Sequence, residues 1–257
     1  YPKEPFDMLS TKQPADEVDK ALKFLLNKLN IKTGRIYYSS GYAPGEAEHK
    51  YLKFFRDSKN SPDWIPNQNH FIFTDDNDLV LLSLLFMDEN IYIIKTRGDI
   101  VSISIVRDYL LKRVHDSLDQ TKKEIDNTRV IHDIVAISFL LGNDFIPEFP
   151  DIRTTERKFD LFIDAYIAIN QNEDPNYQYL IENDSFNVLS LQKLVSLFFH
   201  KDIPIPNTND PKYPENKQVA QDVLRILNFT WLYYTRGTPS WTYYYPHCKS
   251  MSLFIAA

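Results

Sequence analysis

Through the first 150 residues, short apolar runs of strand length alternate with stretches whose apolar residues fall at helical spacing, and this alternation restricts the fold more than any other feature. HFIFT (70–74) and NIYIIK (90–95) read as strands, the first compact and apolar enough to be buried, and GRIYYSS (34–40) reads as a shorter one. Between and around them lie helical patterns. Residues 16–30 place Val18, Leu22, Leu25 and Leu29 on one face, with acidic residues early and lysines late. GYAPGEAEHKYLKFFR (41–56) is a loop entering a helix near Pro44, with Leu52 and Phe55 inward. DDNDLVLLSLLF (75–86) passes from carboxylates at a turn into an apolar helix, and residues 102–114 form another. TRVIHDIVAISFLL (128–141) is almost wholly apolar and stops at Gly142. Such alternation predicts an α/β layer with a largely parallel sheet and flanking helices.

Beyond Pro150 the texture changes. DLFIDAYIAI, LSLQKLVSLFF and QDVLRILNFTWLYY all carry helical apolar spacing, joined by polar stretches containing proline. The expected organisation is therefore a core domain over 1–150 followed by a helical extension over 151–257.

Three acidic groups stand where an α/β sheet places its site, at element ends beyond buried strands. They are Glu46 and Glu48 in PGEAEHK, Asp75, Asp76 and Asp78 in TDDNDL, and Asp144 in LGNDF. Each has an ordinary structural explanation: charge at a helix N-terminus, a turn with a helix cap, and a helix end. All three in one chain, each beside a core element, point instead to carboxylates gathered around hard divalent cations, Mg²⁺ or Mn²⁺. Two such ions about 4 Å apart form a clamp for in-line attack on a phosphodiester.

The net charge of −6 and pI of about 5.5 exclude a protein that holds nucleic acid by overall basicity. Metal loading reverses that argument locally, since each divalent ion returns two positive charges. Aromatic residues make up 14% of the chain, enough for a well-filled core or for surfaces on which bases stack. Cys248 is the single cysteine, so an intrachain disulfide is excluded and a reducing compartment is expected. No apolar run approaches the roughly 18 residues of a membrane span, and no membrane role is expected.

The acidic segments also carry a resemblance. PGEAEHK resembles the PGEGEHK segment of the Xrn1/Rat1 family of 5′-to-3′ exoribonucleases, TDDNDLVLLSL resembles its LDADLIML-type segment, and HDIVAISFLLGNDFIPEFPDI is similar to its DFVFLCFLLGNDFLPHLP segment. DLFIDAYIAI with YLIENDSFNVLSLQKLVSLF, and then WLYYTRGTPSWTYYYPHC, follow the family pattern in order. The resemblance implies a PIN or flap-endonuclease-like fold and hydrolysis of single-stranded RNA from a 5′-monophosphate end to 5′-mononucleotides. It makes Glu46, Glu48, Asp76, Asp78 and Asp144 ligands of two Mg²⁺ or Mn²⁺ ions and leaves Asp75 as a turn or supporting residue. His49 and Lys50 are expected on a solvated helix face, and His132 as a packed or capping residue. Among Trp231, Tyr233, Tyr234, Trp241, Tyr243, Tyr244 and Tyr245, core packing explains most, and Trp241 is the candidate for stacking on RNA.

Two departures stand out. The family's PYHYAP-like run appears as Tyr245, Pro246, His247, Cys248, and Tyr243 replaces a frequent second tryptophan. The chain also opens at Tyr1 with Pro-Lys-Glu-Pro, as if cut from a longer one. The resemblance places further metal-binding Asp residues and the 5′-phosphate pocket before that point, so the isolated chain is expected to be feeble or inactive. A flap-type DNA nuclease and a non-catalytic RNA-binding descendant remain alternatives. The expected localisation is intracellular, cytoplasmic or nuclear with the cytoplasm preferred; protein partners are not readable.

Overall fold

In the computed structural model, residues 20, 21, 23, 24, 28, 39, 43, 45–62, 64–121, 123–152, 156–172, 176–200 and 212–247 are described. Two compact units divide the chain, residues 1–55 and 56–257. In the first, the described members of the expected 16–30 helix are helical, whereas the expected strand at 34–40, except Ser39, and Pro44 lie outside the described residues, as does Cys248 in the second unit. Helix α1 (Ala47–Ser58) begins one residue after Glu46, carries Glu48 in its first turn and buries Leu52 and Phe55, as its spacing predicts. Its last turn, from Arg56, counts with the second unit.

The second unit holds a three-stranded sheet in the order β1 (Asn69–Phe73), β2 (Asn90–Ile94), β3 (Ile100–Ser102). β1 and β2 are parallel, with Phe71 opposite Tyr92, and helix α2 (Asp78–Ser83) lies in the connection between them. β2 and β3 are antiparallel, with Ile93 opposite Val101. The alternation therefore yields a mixed α/β arrangement, with one parallel and one antiparallel pairing among the described strands. β2 buries Ile91 and Ile93 and packs on α3 (Ile103–Leu118). The expected burial of HFIFT is corrected: β1 is a strand, but Phe71 and Phe73 on one face are 63% and 72% exposed. β1 is an edge of the described sheet, and an apolar run cannot reveal whether both faces are covered.

The core centres on α4 (Asn127–Phe139), whose Val130, Ile131, Ile134, Val135, Ala136 and Ile137 are fully buried. The Asp126 carboxylate caps it by accepting from Thr128 N at 2.9 Å and Arg129 N at 3.2 Å. An apolar helix of this kind must be surrounded, and α4 packs against α2, α3, α5 (Lys158–Asn170) and α7 (Tyr213–Thr235). α6 (Val188–Phe199) packs on α5, with Phe162 stacked on Phe198 at 4.0 Å.

One small element has no counterpart in the sequence reading. Ile181–Glu182 (β4) and Ser185–Phe186 (β5) form a two-residue-per-strand hairpin, too short to show alternation. Asn183 and Asp184 take φ of 51° and 59°, the left-handed pair of a type I′ turn that these residue types tolerate. Asp133, fully buried on α4, holds this hairpin: its carboxylate accepts from Leu180 N at 2.9 Å, Ile181 N at 2.8 Å and the Tyr166 hydroxyl at 2.7 Å. Burial pushes the carboxyl up to about 7, against the opposing pull of those three donors.

Candidate metal centre

The acidic turn after β1 is built by its own polar groups. Thr74 Oγ1 accepts from Asp76 N at 3.0 Å, and Asp76 Oδ1 accepts from Asp78 N at 2.9 Å, so the chain bends through the carboxylates into α2. Lys95, one residue past β2, donates from Nζ to the Asp76 carbonyl at 3.0 Å and to Asn77 Oδ1 at 3.1 Å. Asp75 turns the other way, accepting from Thr96 N at 3.0 Å and Thr96 Oγ1 at 2.6 Å. The Thr96 hydroxyl, then its N–H, hold the Asp75 carboxyl below the ordinary carboxylate value. Asp75 thus ties the ends of two strands together, while Asp76 and Asp78 are exposed.

The GND corner follows α4. Gly142 has φ of 91°, and a Cβ there would meet the Glu148 Cα at 2.8 Å and N at 2.9 Å, so the corner admits only glycine. Asn143 Oδ1 accepts from Phe145 N and Ile146 N, both at 2.9 Å, and Asp144 stands exposed at the tip. Asp78, Ser138, Gly142, Asn143 and Tyr234 line one cavity of about 90 Å³, floored by leucines of α2. Two of the three acidic segments, distant in sequence, therefore meet at one cavity in the second unit.

In the first unit, the Glu46 and Glu48 carboxylates bring oxygens within 4.8 Å of each other, and the Glu46 carbonyl accepts the Lys50 N–H at 3.0 Å. Like charges at that separation favour a cation between them. The expectation of a solvated His49 is corrected: it is 6% exposed, with its ring against Gly45, where an added Cβ would come within 2.9 Å of Cδ2. Gly45, at φ of 99°, leaves room for the imidazole, a packing role that the motif letters alone do not disclose.

The aromatic group near the C-terminal end divides sharply. Trp231 is 2% exposed, and Tyr233, Tyr234 and Tyr245 are also buried, as core residues of a helical layer should be. Trp241 is 67% exposed, with Tyr244 exposed nearby in sequence. His132 packs edge-on to Trp231 at 5.4 Å, and burial lowers its pKa, in keeping with a packed residue. The departure at residues 245–247 has its own anchor: His247 Nε2 lies 3.0 Å from Asp222, a buried carboxylate that also accepts from Arg225 at 3.0 Å. Asp133, Asn143 and Arg56 were not singled out by sequence. Arg56 donates to the Tyr234 carbonyl at 2.6 Å, and only long-range packing gives it that partner.

Among the described residues, no helix is long and apolar enough to cross a membrane. Residues 15–97 match the family model described as XRN 5′-3′ exonuclease N-terminus, and residues 124–206 match the Xrn1 helical domain. Glu46, Glu48, Asp76 and Asp78 fall in the first stretch and Asp144 in the second, whereas Trp241 lies outside both. The chain is similar to the 5′-3′ exoribonuclease 1 of Homo sapiens, at 27% identity over 172 residues, covering 58% of this chain and 10% of that protein. It is similar also to the 5′-3′ exoribonuclease 1 of Saccharomyces cerevisiae, at 24% over 188 residues (63% and 12%), and to the 5′-3′ exoribonuclease 2 of Yarrowia lipolytica, at 31% over 159 residues (54% and 16%). The chain thus spans a small part of the length of these curated relatives. Two models of one family, matched in sequence order over well over half of the chain and enclosing all five acidic candidates, place it in the Xrn1/Rat1 family of 5′-3′ exoribonucleases.

Proposed function

We propose that this chain contributes Glu46, Glu48, Asp76, Asp78 and Asp144 to the catalytic centre of a 5′-to-3′ exoribonuclease acting on single-stranded RNA with a 5′-monophosphate. The observation that carries the reading is the meeting of the Asp78 turn and the GND corner at one cavity, each within a matched stretch of the family models. The donor set is all carboxylate oxygen, with exposed Asp76, Asp78 and Asp144 and a close Glu46–Glu48 pair, and this fits hard Mg²⁺ or Mn²⁺. Held by these carboxylates, two such ions would supply activation of the attacking water and charge stabilisation at the leaving 3′ oxygen. The protein's own part is to hold the carboxylates in place. Asp76 and Asp78 are set by the hydrogen-bonded turn and by Lys95 beneath it; Asp144 is set by the Gly142–Asn143 corner. Exposed Trp241 offers a face for a base, worth about 1 to 3 kcal/mol per stacked base and tolerant of sequence.

The same reading takes residues 1–150 as a nuclease core with a PIN or flap-endonuclease-like, largely parallel sheet, and 151–257 as a helical extension completing the RNA channel. It places the enzyme inside the cell, in cytoplasm or nucleus, where RNA bearing a 5′-monophosphate is available. The test is digestion by the protein expressed with its complete coding sequence, in Mg²⁺, of 5′-monophosphorylated RNA, 5′-hydroxyl RNA and flapped DNA. Release of 5′-mononucleotides from the first, at least tenfold faster than from the others, is expected; preference for the flap overturns the proposal.

A further inference from the structure

The GND corner contains a buried donor from which no described residue accepts. Asn143 Oδ1 faces Phe145 N and Ile146 N, both at 2.9 Å. Backbone N–H groups only donate, so this pairing fixes which end of the amide is oxygen and turns Nδ2 to the opposite side. Nδ2 is closed off from bulk solvent and has no acceptor among the described residues. Buried donors are nearly always paired, and one that is not calls for a partner the protein does not itself supply in that state. Asn143 lines the same cavity as Asp78, which provides the only carboxylate among the lining residues. Ser138 and Tyr234, also on the wall, carry hydroxyls, of which the Ser138 one donates to the Val135 carbonyl at 2.6 Å, and a carboxylate is a stronger acceptor than either. At about 90 Å³ the cavity has room for ordered water.

We propose that Asn143 is a positioning residue for the Asp78 carboxylate: its Nδ2 donates to that carboxylate through one ordered water in the cavity they share and fixes the oxygen that Asp78 presents to metal. The inference rests on the functional reading above and deepens it. The two ends of one side chain then perform two tasks. Oδ1 shapes the loop that presents Asp144, and Nδ2 orients a ligand from another acidic segment, so the GND corner and the TDDND turn are set against each other by one amide. An amide suits this task, because it donates at every pH and adds no charge beside the carboxylates.

The substitutions separate the two ends. Asn143→Asp and Asn143→Ser each keep an oxygen that can accept from Phe145 N, and each removes the amide donor; the first adds charge and the second does not. In the complete protein, both are expected to keep the unfolding midpoint within about 3 °C, to lower kcat by about 10- to 100-fold with KM within about twofold, and to weaken Mn²⁺ activation by a similar factor, the usual range for residues that orient a metal ligand. Folded Asn143→Ser with wild-type kcat and Mn²⁺ midpoint overturns the proposal. If Asn143→Ser does not fold, Asn143→Asp decides: activity lost only in proportion to folded protein also overturns it. Asp78→Asn is the companion control. If that variant too retains full activity and Mn²⁺ binding, the functional reading has failed; if Asp78→Asn is inactive and the Asn143 variants behave as wild type, only this inference has.

Discussion

Asp78→Asn and Asp144→Asn, each made in the complete protein, are expected to slow hydrolysis of 5′-monophosphorylated RNA by about a thousandfold while leaving the unfolding midpoint unchanged. Both side chains are exposed, so neither substitution opens a cavity. An amide keeps the shape of the carboxylate and one acceptor oxygen but removes the charge that holds a divalent ion. Loss of a metal-borne contribution of several kcal/mol to the transition state, at about 1.4 kcal/mol per tenfold, gives the stated magnitude. Asp76→Asn is expected to behave alike, and its retained Oδ1 can still accept the Asp78 N–H that shapes the turn. Asp75→Asn separates the roles within one motif, because Asp75 is engaged with Thr96 and its substitution should cost little activity. A rate for Asp78→Asn or Asp144→Asn within threefold of wild type would contradict the assignment.

The second large effect concerns stability. Asp133→Ala removes the acceptor of Leu180 N, Ile181 N and the Tyr166 hydroxyl together, all in the interior. Buried donors without partners cost about 1 to 3 kcal/mol each, and partial relaxation brings the expected loss to about 3 to 5 kcal/mol. For a chain of this size that corresponds to a fall of about 10 to 15 °C in unfolding midpoint. A characteristic pH dependence accompanies it. The Asp133 carboxyl sits at about 7 in the folded protein and at about 3.9 once unfolded. Between those values the folded state holds a proton that the unfolded state has released, so this group's stabilising contribution is complete below about pH 4 and declines to a minimum above pH 7. Asp133→Asn cannot titrate. Its stability relative to wild type should therefore improve from pH 5 to pH 8, read from denaturant unfolding at both; an unchanged difference would show that Asp133 is ionised throughout.

Much of the fold was legible because its helices carry their apolar residues at the spacing that packing demands. Leu52 and Phe55 on α1 and the fully apolar α4 ending at Gly142 are examples. What escaped depends on distant neighbours. The covering of a strand face is not written in the strand, so an apolar run such as HFIFT reads as buried although Phe71 and Phe73 are open. A hairpin with two residues per strand has no periodicity, and its sequence trace is the Asn183–Asp184 pair alone. The acidic candidates were visible as letters because carboxylates beside apolar runs are uncommon. The groups that support them were not: Lys95 gains its meaning only when β2 pairs with β1, Asn143 only when the β1 turn and the end of α4 meet, and His49 only from the space above Gly45. The split among the aromatic residues, with Trp231 inside and Trp241 outside, is likewise a product of packing.

Binding of Mn²⁺ to the complete protein, followed by electron paramagnetic resonance during titration, tests the central claim most directly. Two ions per chain, with affinity lowered at least tenfold by Asp78→Asn and again by Asp144→Asn, is the predicted result. Affinity and stoichiometry unaltered when Glu46, Glu48, Asp76, Asp78 and Asp144 are all replaced by their amides would contradict it.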